Sequence, residues 1–321
     1  MHVDQITITV EDARRLVDEQ FPQWRGLPLR AVASAGTVNA IIRIGDGLTA
    51  RFPLRGRDPV RVRAELEAEA AAARELAACS PVPTPRPVAI GEPGEGYPLP
   101  WSVQTWVPGR VATPHEPAGS TAFARDLAAF ISALRAVDTR GRRFAGTGRG
   151  GDLRDHDDWM QTCLRESEGL LDVPRLRALW AELRDLPPAG PDVMSHHDLI
   201  PGNVLVRDGR LAGVLDGGGF GPADPALDLV AAWHLLDDAP RAELRRLLGC
   251  DDVEWARGRA WAFHQAMGLV WYYAETNPPM SALGRSTLDR LTRSWRRGPA
   301  APAGVPRAAR TARRGSPTSS G

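Results

Sequence analysis

The sequence predicts an α+β fold in two lobes, a small β-rich N-terminal lobe with one inserted helix and a larger, mainly helical C-terminal lobe. Three observations carry this. Short β-type segments separated by turn signals cluster before residue 108, apolar residues recur with a helical period from residue 121 onward, and an Ala-, Glu-, Leu- and Arg-rich run interrupts the strands at 60–78. A length of 321 residues accommodates this division, read as lobes 1–107 and 108–297 and a tail 298–321.

Taken in order, EDARRLVDEQ (11–20) predicts a short helix, and LRAVAS (29–34), NAIIRI (39–44) and GLTARFP (47–53) predict strands. The turns Ala35-Gly36-Thr37 and Gly45-Asp46-Gly47 between them suit hairpins. The run 60–78 favours helix by propensity, and prolines 81, 83, 85 and 87 end it in extended chain. Strands follow at 87–91 and 101–107. In the second lobe Phe123, Leu127, Phe130, Ile131 and Leu134 form one apolar helical face, and 174–186 repeats the pattern behind Pro174. Short β pieces occupy 193–216. Asp224-Pro225 starts a helix over 225–237, and further helices are predicted at 240–248, 252–275 and 281–295. The tail has no apolar period, which predicts disorder.

Composition excludes several classes. All 40 basic residues are arginine, and four of them (Arg307, Arg310, Arg313, Arg314) sit in the tail, leaving 36 against 39 acids. A weakly acidic body argues against a nucleic-acid partner. No apolar run is long enough to span a membrane, and the N-terminus lacks the pattern of a secretory signal. Cys79, Cys163 and Cys250 are odd in number and far apart, as expected of reduced thiols in a cytoplasmic protein; a monomer or homodimer is expected.

The chemistry concentrates in MSHHDLIPGNVLVRDGRLAGVLDGGGFGPADPALD, residues 194–228. Asp198 and Asn203 are spaced D-x-x-x-x-N, and Asp216 follows thirteen residues later. Alone, such a pair reads as a polar surface turn. The set is more specific, with His196 two residues before the Asp, Pro201-Gly202 before the Asn, an apolar strand after it and then Asp-Gly. Phosphoryl transfer needs a carboxylate to orient an attacking hydroxyl and hard oxygen donors for magnesium on the phosphates.

This pattern, with DPALDL after it, resembles the aminoglycoside phosphotransferase family of protein-kinase-like small-molecule kinases over roughly residues 5–295. The resemblance implies transfer of the ATP γ-phosphate to a hydroxyl of a small molecule, such as an aminoglycoside-like antibiotic or a related metabolite. By position it makes Asp198 the catalytic base, Asn203 and Asp216 the Mg2+ ligands, His196 a structural residue of the loop, and Asp228 a support for its backbone. In the N-terminal lobe, Ser34 to Asn39 would cover the phosphates. Arg51 would reach them from the strand and pair with Glu69, and Gln104 to Val107 would form the adenine-binding hinge. Arg51 also reads as a solvated strand arginine, and Glu69 as one of several acids on an exposed helix.

Three residues depart from the family pattern. Arginine stands at 51 in place of lysine, which turns a point donor into a fork. Gly217 replaces the phenylalanine of the protein-kinase triplet, so Gly217-Gly218-Gly219, which packs nothing and loses more entropy on ordering, predicts a mobile metal loop with weak activity. His197 occupies an arginine position. Gly217 and Arg51 motivate an alternative, a nucleotide-binding pseudokinase with little transfer. Asp152, Asp155, Asp157 and Asp158 suit either a polycation-binding rim or a solvated helix start. Trp255, Trp261, Phe263, Trp271, Tyr272 and Tyr273 read mainly as core.

Overall fold

Thr9 opens the first helix. Its hydroxyl accepts the Asp12 N–H while the Asp12 carboxylate accepts the Thr9 N–H, a reciprocal cap on α1 (Val10–Gln20). The computed structural model describes residues 6–32, 38–146 and 148–296. The expectations for Ser34 and for the tail 298–321 lie outside those residues.

After α1 come β1 (Leu29–Ala31), β2 (Asn39–Ile44) and β3 (Leu48–Pro53). Asp58 caps α2 (Pro59–Cys79), with Pro59 at the permitted first position. β4 (Pro87–Gly91) and β5 (Trp101–Thr105) then complete an antiparallel sheet in the order β1-β2-β3-β5-β4. The last strand is shorter than the predicted 101–107. The Trp106 N–H closes on the Gly47 carbonyl at 2.8 Å, and Pro108 has no N–H with which to extend the ladder.

Two apolar clusters form. The first joins α1, the sheet and the front of α2, with Phe52 stacked on Trp101 at 4.8 Å. Val62 and Leu66 of α2 belong to it, whereas Leu76 belongs to the second cluster together with the helices of the C-terminal lobe. One helix therefore buries its two ends in different cores. Each such leucine contributes about 1.5–3 kcal/mol of burial.

The second cluster gathers α3 (Thr121–Arg135), α4 (Asp157–Glu166), α5 (Val173–Leu183), α6 (Val230–Leu235), α7 (Asp238–Leu248), α8 (Asp252–Tyr272) and α9 (Pro278–Arg296). β6 (Arg110–Val111), β8 (Val204–Arg207) and β9 (Arg210–Val214) make a three-stranded sheet, and β7 (Val193–Ser195) pairs with β10 (Gly221–Ala223). The helix expected over 225–237 is divided. Asp224 accepts the Leu227 N–H at 2.9 Å, tightening the chain into a 3-10 turn at Leu227–Leu229 before α6 begins. Asp224 and Arg257 are buried as an ion pair, and Trp261 Nε1 donates to the same carboxylate at 2.9 Å. The remaining guanidinium donors reach the Leu186 and Pro187 carbonyls. No helix among the described residues is long and apolar enough to cross a membrane.

Candidate active site

The loop between β7 and β8 is shaped by Asp228. This carboxylate, 3% exposed, accepts the His196 N–H at 2.9 Å on Oδ2 and the His197 N–H at 3.2 Å on Oδ1. Two orphan backbone donors are thereby satisfied in the interior, and the chain reverses with His197 at φ 74°. His196, 1% exposed, bonds through Nε2 to the Leu215 carbonyl at 2.9 Å, which ties this loop to the one carrying Asp216. Burial pushes the His197 imidazole below its ordinary value, against the pull of Asp228.

These supports present Asp198. Asn203 Nδ2 donates to its Oδ2 at 2.9 Å and to its carbonyl at 3.0 Å. The Pro201-Gly202 turn makes this possible by folding Asn203 back, with the Asn203 N–H bonded to the Ile200 carbonyl. The Leu215 N–H in turn donates to the Asn203 carbonyl at 2.7 Å, so Asp216 begins beside Asn203. Asp216 is left-handed at φ 60°, ψ 47°. Of the three non-glycine residues with positive φ in this segment, His197, Asp208 and Asp216, the first and last flank the site and store about 1–3 kcal/mol each.

Two further partners of Asp198 escaped the sequence reading. Arg149 Nη2 and Gln265 Nε2 both donate to Oδ1, each at 2.8 Å. Arg149 reaches it because Gly150 holds φ 128° and packs tightly, its missing Cβ falling 3.0 Å from Ala223 and Phe144, while its carbonyl accepts the Asp224 N–H. The glycine-rich stretch around Arg149 was the available signal. Gln265 offered none beyond being a polar residue on a buried helix.

On the N-terminal side, Arg51 Nη2 pairs with Asp216 Oδ1 at 2.9 Å. This corrects the expected pairing with Glu69, because the Asp216 loop reaches the strand arginine first. Glu69 nonetheless lines a cleft of ≈ 320 Å³ with Arg51, Gln104, Gly217 and Gly218. Desolvation there raises its carboxyl although the residue keeps contact with solvent; Asp216 adds to the rise and Arg51 opposes it. Asn39 shares a smaller adjoining recess with Arg51 and Glu69. Val107 is not part of this group. It is buried and faces a separate recess with Trp106 and Pro108.

The glycine run is also corrected. Gly217–Gly219, expected to pack nothing, form a 3-10 turn seated on α2. A Cβ on Gly217 would fall 2.4 Å from Leu76 Cδ2, and one on Gly218 would fall 3.0 Å from Glu69 Cβ. The phenylalanine of the protein-kinase triplet has no room here. The acidic stretch is partly used internally, with Asp152 capping a turn and Asp157 bonded to Trp180 and Arg184. Trp261 and Phe263 are fully buried, whereas Tyr272 is 42% exposed.

Asn203 and Asp216 carry hard oxygen donors on backbone joined by the Leu215–Asn203 hydrogen bond, and the Asp216 side chain is 47% exposed. Among the described residues no cluster of three or more His, Cys, Asp or Glu is arranged to hold a metal ion alone. One carboxylate and one amide suit magnesium, which keeps waters and takes phosphate oxygens as its other ligands.

Comparison with known proteins bears on the fold and the family. A search of curated proteins finds no match. Among solved structures, the GDP complex of wild-type aminoglycoside 2'-phosphotransferase-IIIa superposes with a TM-score of 0.66 at 18% identity, covering 89% of this chain and 100% of that one. The GDP and kanamycin complex of APH(2″)-IIia gives 0.64 at 18% identity, with 88% and 98% covered. The apoenzyme of macrolide 2'-phosphotransferase MphH from Brachybacterium faecium gives 0.55 at 21% identity, with 85% and 97% covered. The two-lobed fold is thus the kinase-like fold of these antibiotic phosphotransferases. The model of the phosphotransferase enzyme family matches residues 30–261. A match over well more than half its length, on this fold, makes the chain a member of the phosphotransferase enzyme family.

Proposed function

We propose that this phosphotransferase moves the γ-phosphate of ATP to a hydroxyl of a small molecule, an aminoglycoside-like antibiotic or related metabolite, in a magnesium-dependent reaction in the cytoplasm. The observation that carries the reading is the continuous chain of contacts Asp198–Asn203–Leu215/Asp216–Arg51. It joins a general-base carboxylate, two oxygen donors and a cation through successive contacts.

In this reading Asp198 accepts a hydrogen bond from the acceptor hydroxyl. As that oxygen bonds to the γ-phosphorus, the bond from phosphorus to the bridging β–γ oxygen breaks, ADP leaves, and the proton passes to Asp198 and then to solvent. Asn203 holds the carboxylate in register through its amide and turns its carbonyl oxygen away from Asp198. Asn203 and Asp216 would hold magnesium, which offsets negative charge on the phosphates when bound. Arg51, released from Asp216, supplies a cationic fork for the phosphate oxygens. Glu69 and Gln104 line the nucleotide cleft. The lobes divide after Val107, and the partner is a small molecule and neither nucleic acid nor membrane.

The test is ADP release from magnesium-ATP against a panel of aminoglycosides and macrolides, with mass analysis of the acceptor, beside Asp198→Asn. Acceptor-dependent release with a phosphorylated product, lost in the variant, is the expected result. Equal release by Asp198→Asn would overturn the assignment of the base.

A further inference from the structure

The C-terminal core contains a polar thread that its packing does not need. Thr287 and His234 are fully buried and Gln265 is 7% exposed, and they lie on α9, α6 and α8 among apolar side chains. A buried polar group left without a partner costs about 1–3 kcal/mol, so such a set is stable only if each member is satisfied. Each is. His234 Nδ1 meets Thr287 Oγ1 at 2.8 Å, His234 Nε2 meets Gln265 Oε1 at 3.1 Å, and Gln265 Nε2 meets Asp198 Oδ1 at 2.8 Å.

The hydrogen-bond polarity of this thread runs one way. Asp198 receives N–H donors on both oxygens, from Arg149 and Gln265 on Oδ1 and from Asn203 on Oδ2, so its carboxylate acts as the acceptor. Gln265 must then point its NH2 at Asp198 and its carbonyl at His234. A carbonyl accepts only, so His234 must carry its proton on Nε2. Its Nδ1 is left as an acceptor, and the Thr287 hydroxyl has to donate to it, away from the Leu283 carbonyl that also lies within reach. Burial pushes His234 down to about 4, which keeps the ring neutral and the sequence of donors intact.

We propose that Gln265, oriented by His234 and Thr287, is a positioning residue that fixes the plane of the Asp198 carboxylate for transfer. The inference rests on the reading of Asp198 as the group that takes the acceptor's proton. Asn203 belongs to the same loop as Asp198, and Arg149 comes from a glycine-rich connection, so Gln265 is the only one of the three donors mounted on a long helix of the core. It references the carboxylate to the helical frame, as a supporting shell must when placement errors of an ångström are costly.

Two measurements on the full chain test this. Long-range 15N NMR of the histidine side chains at neutral pH should show His234 as the Nε2–H tautomer; a dominant Nδ1–H tautomer overturns the thread whatever the activity. Magnesium-dependent ADP release from ATP, with water as acceptor, should show kcat lowered about 10- to 100-fold in Gln265→Met with the KM for ATP within about twofold, and lowered less in Thr287→Val. Thermal unfolding checks that both variants fold. A kcat retained in folded Gln265→Met while Asp198→Asn loses it overturns the positioning role and leaves the proposed function standing. A kcat retained in Asp198→Asn removes the function assigned to that carboxylate, and the positioning role with it.

Discussion

Replacing Gly217 by alanine sets two effects of opposite sign against each other. The residue does not occupy a left-handed conformation, so alanine is compatible with its backbone. On that ground alone the substitution stabilises by about 0.4–1 kcal/mol, because the unfolded chain loses freedom. The new Cβ, however, falls 2.4 Å from Leu76 Cδ2, and Leu76 is fully buried in the helical core. Something must shift, and overpacking of a dense core costs about 1–3 kcal/mol. The second effect is larger, so Gly217→Ala should destabilise by roughly 0.5–2 kcal/mol. Urea unfolding measures it. The cause is isolated by a double-mutant cycle with Leu76→Ala, which costs about 2–5 kcal/mol alone and leaves a hole where the new methyl would go. Gly217→Ala should become neutral or stabilising in that background. A cost of the same size in both backgrounds would refute the packing argument, and stabilisation in the wild-type background would show that the entropy effect dominates.

Two other outcomes follow from buried charge. Arg257→Met strands the Asp224 carboxylate in the interior and should cost about 3–5 kcal/mol, lowering the melting temperature by several degrees; a loss under about 1 kcal/mol would contradict the pairing described here. His234 and His264 are both held neutral by burial, His234 with a value of about 4. Between their ordinary value near 6.5 and about 4, the unfolded chain binds protons that the folded chain does not, so stability should fall as pH falls through that window, by on the order of 3 kcal/mol for His234. Urea midpoints at successive pH values follow the loss, which His264→Phe should reduce; a flat profile would mean that these rings charge freely in the fold.

What the sequence disclosed depended on range. Helix positions came from local period and propensity: the apolar face Phe123, Leu127, Phe130, Ile131 and Leu134 lies buried on α3, and Pro174 sits in the first turn of α5. Asp198, Asn203 and Asp216 were legible because one compact stretch carries all three, and its Pro-Gly turn fixes their mutual approach. Arg149 and Gln265 were not, because they meet Asp198 from 49 and 67 residues away; the glycine-rich stretch around Arg149 marks a close-packed turn but not the partner it meets. The same limit explains Arg51. The family resemblance made Glu69 its partner, but a left-handed turn at Asp216, invisible to propensity, brings another carboxylate closer. Gly217 was misjudged for a related reason. Counting glycines describes the entropy of the chain, whereas the outcome was decided by a leucine on a different element.

The division of α2 between two cores gives the cleft a lever. Its Cys79 end is anchored with Leu76 among the helices of the C-terminal lobe, and ten residues of helix separate Cys79 from Glu69, an arm of about 15 Å at 1.5 Å per residue. A swing of only 5° about the anchored end carries Glu69 through an arc of about 1.3 Å along that arm. That distance is comparable to the gap between an ion pair and a mere neighbour. A tilt of this one helix therefore moves Glu69 relative to the Asp216 loop, while the core that holds Leu76 and the loop carrying Asp198 stays where it is.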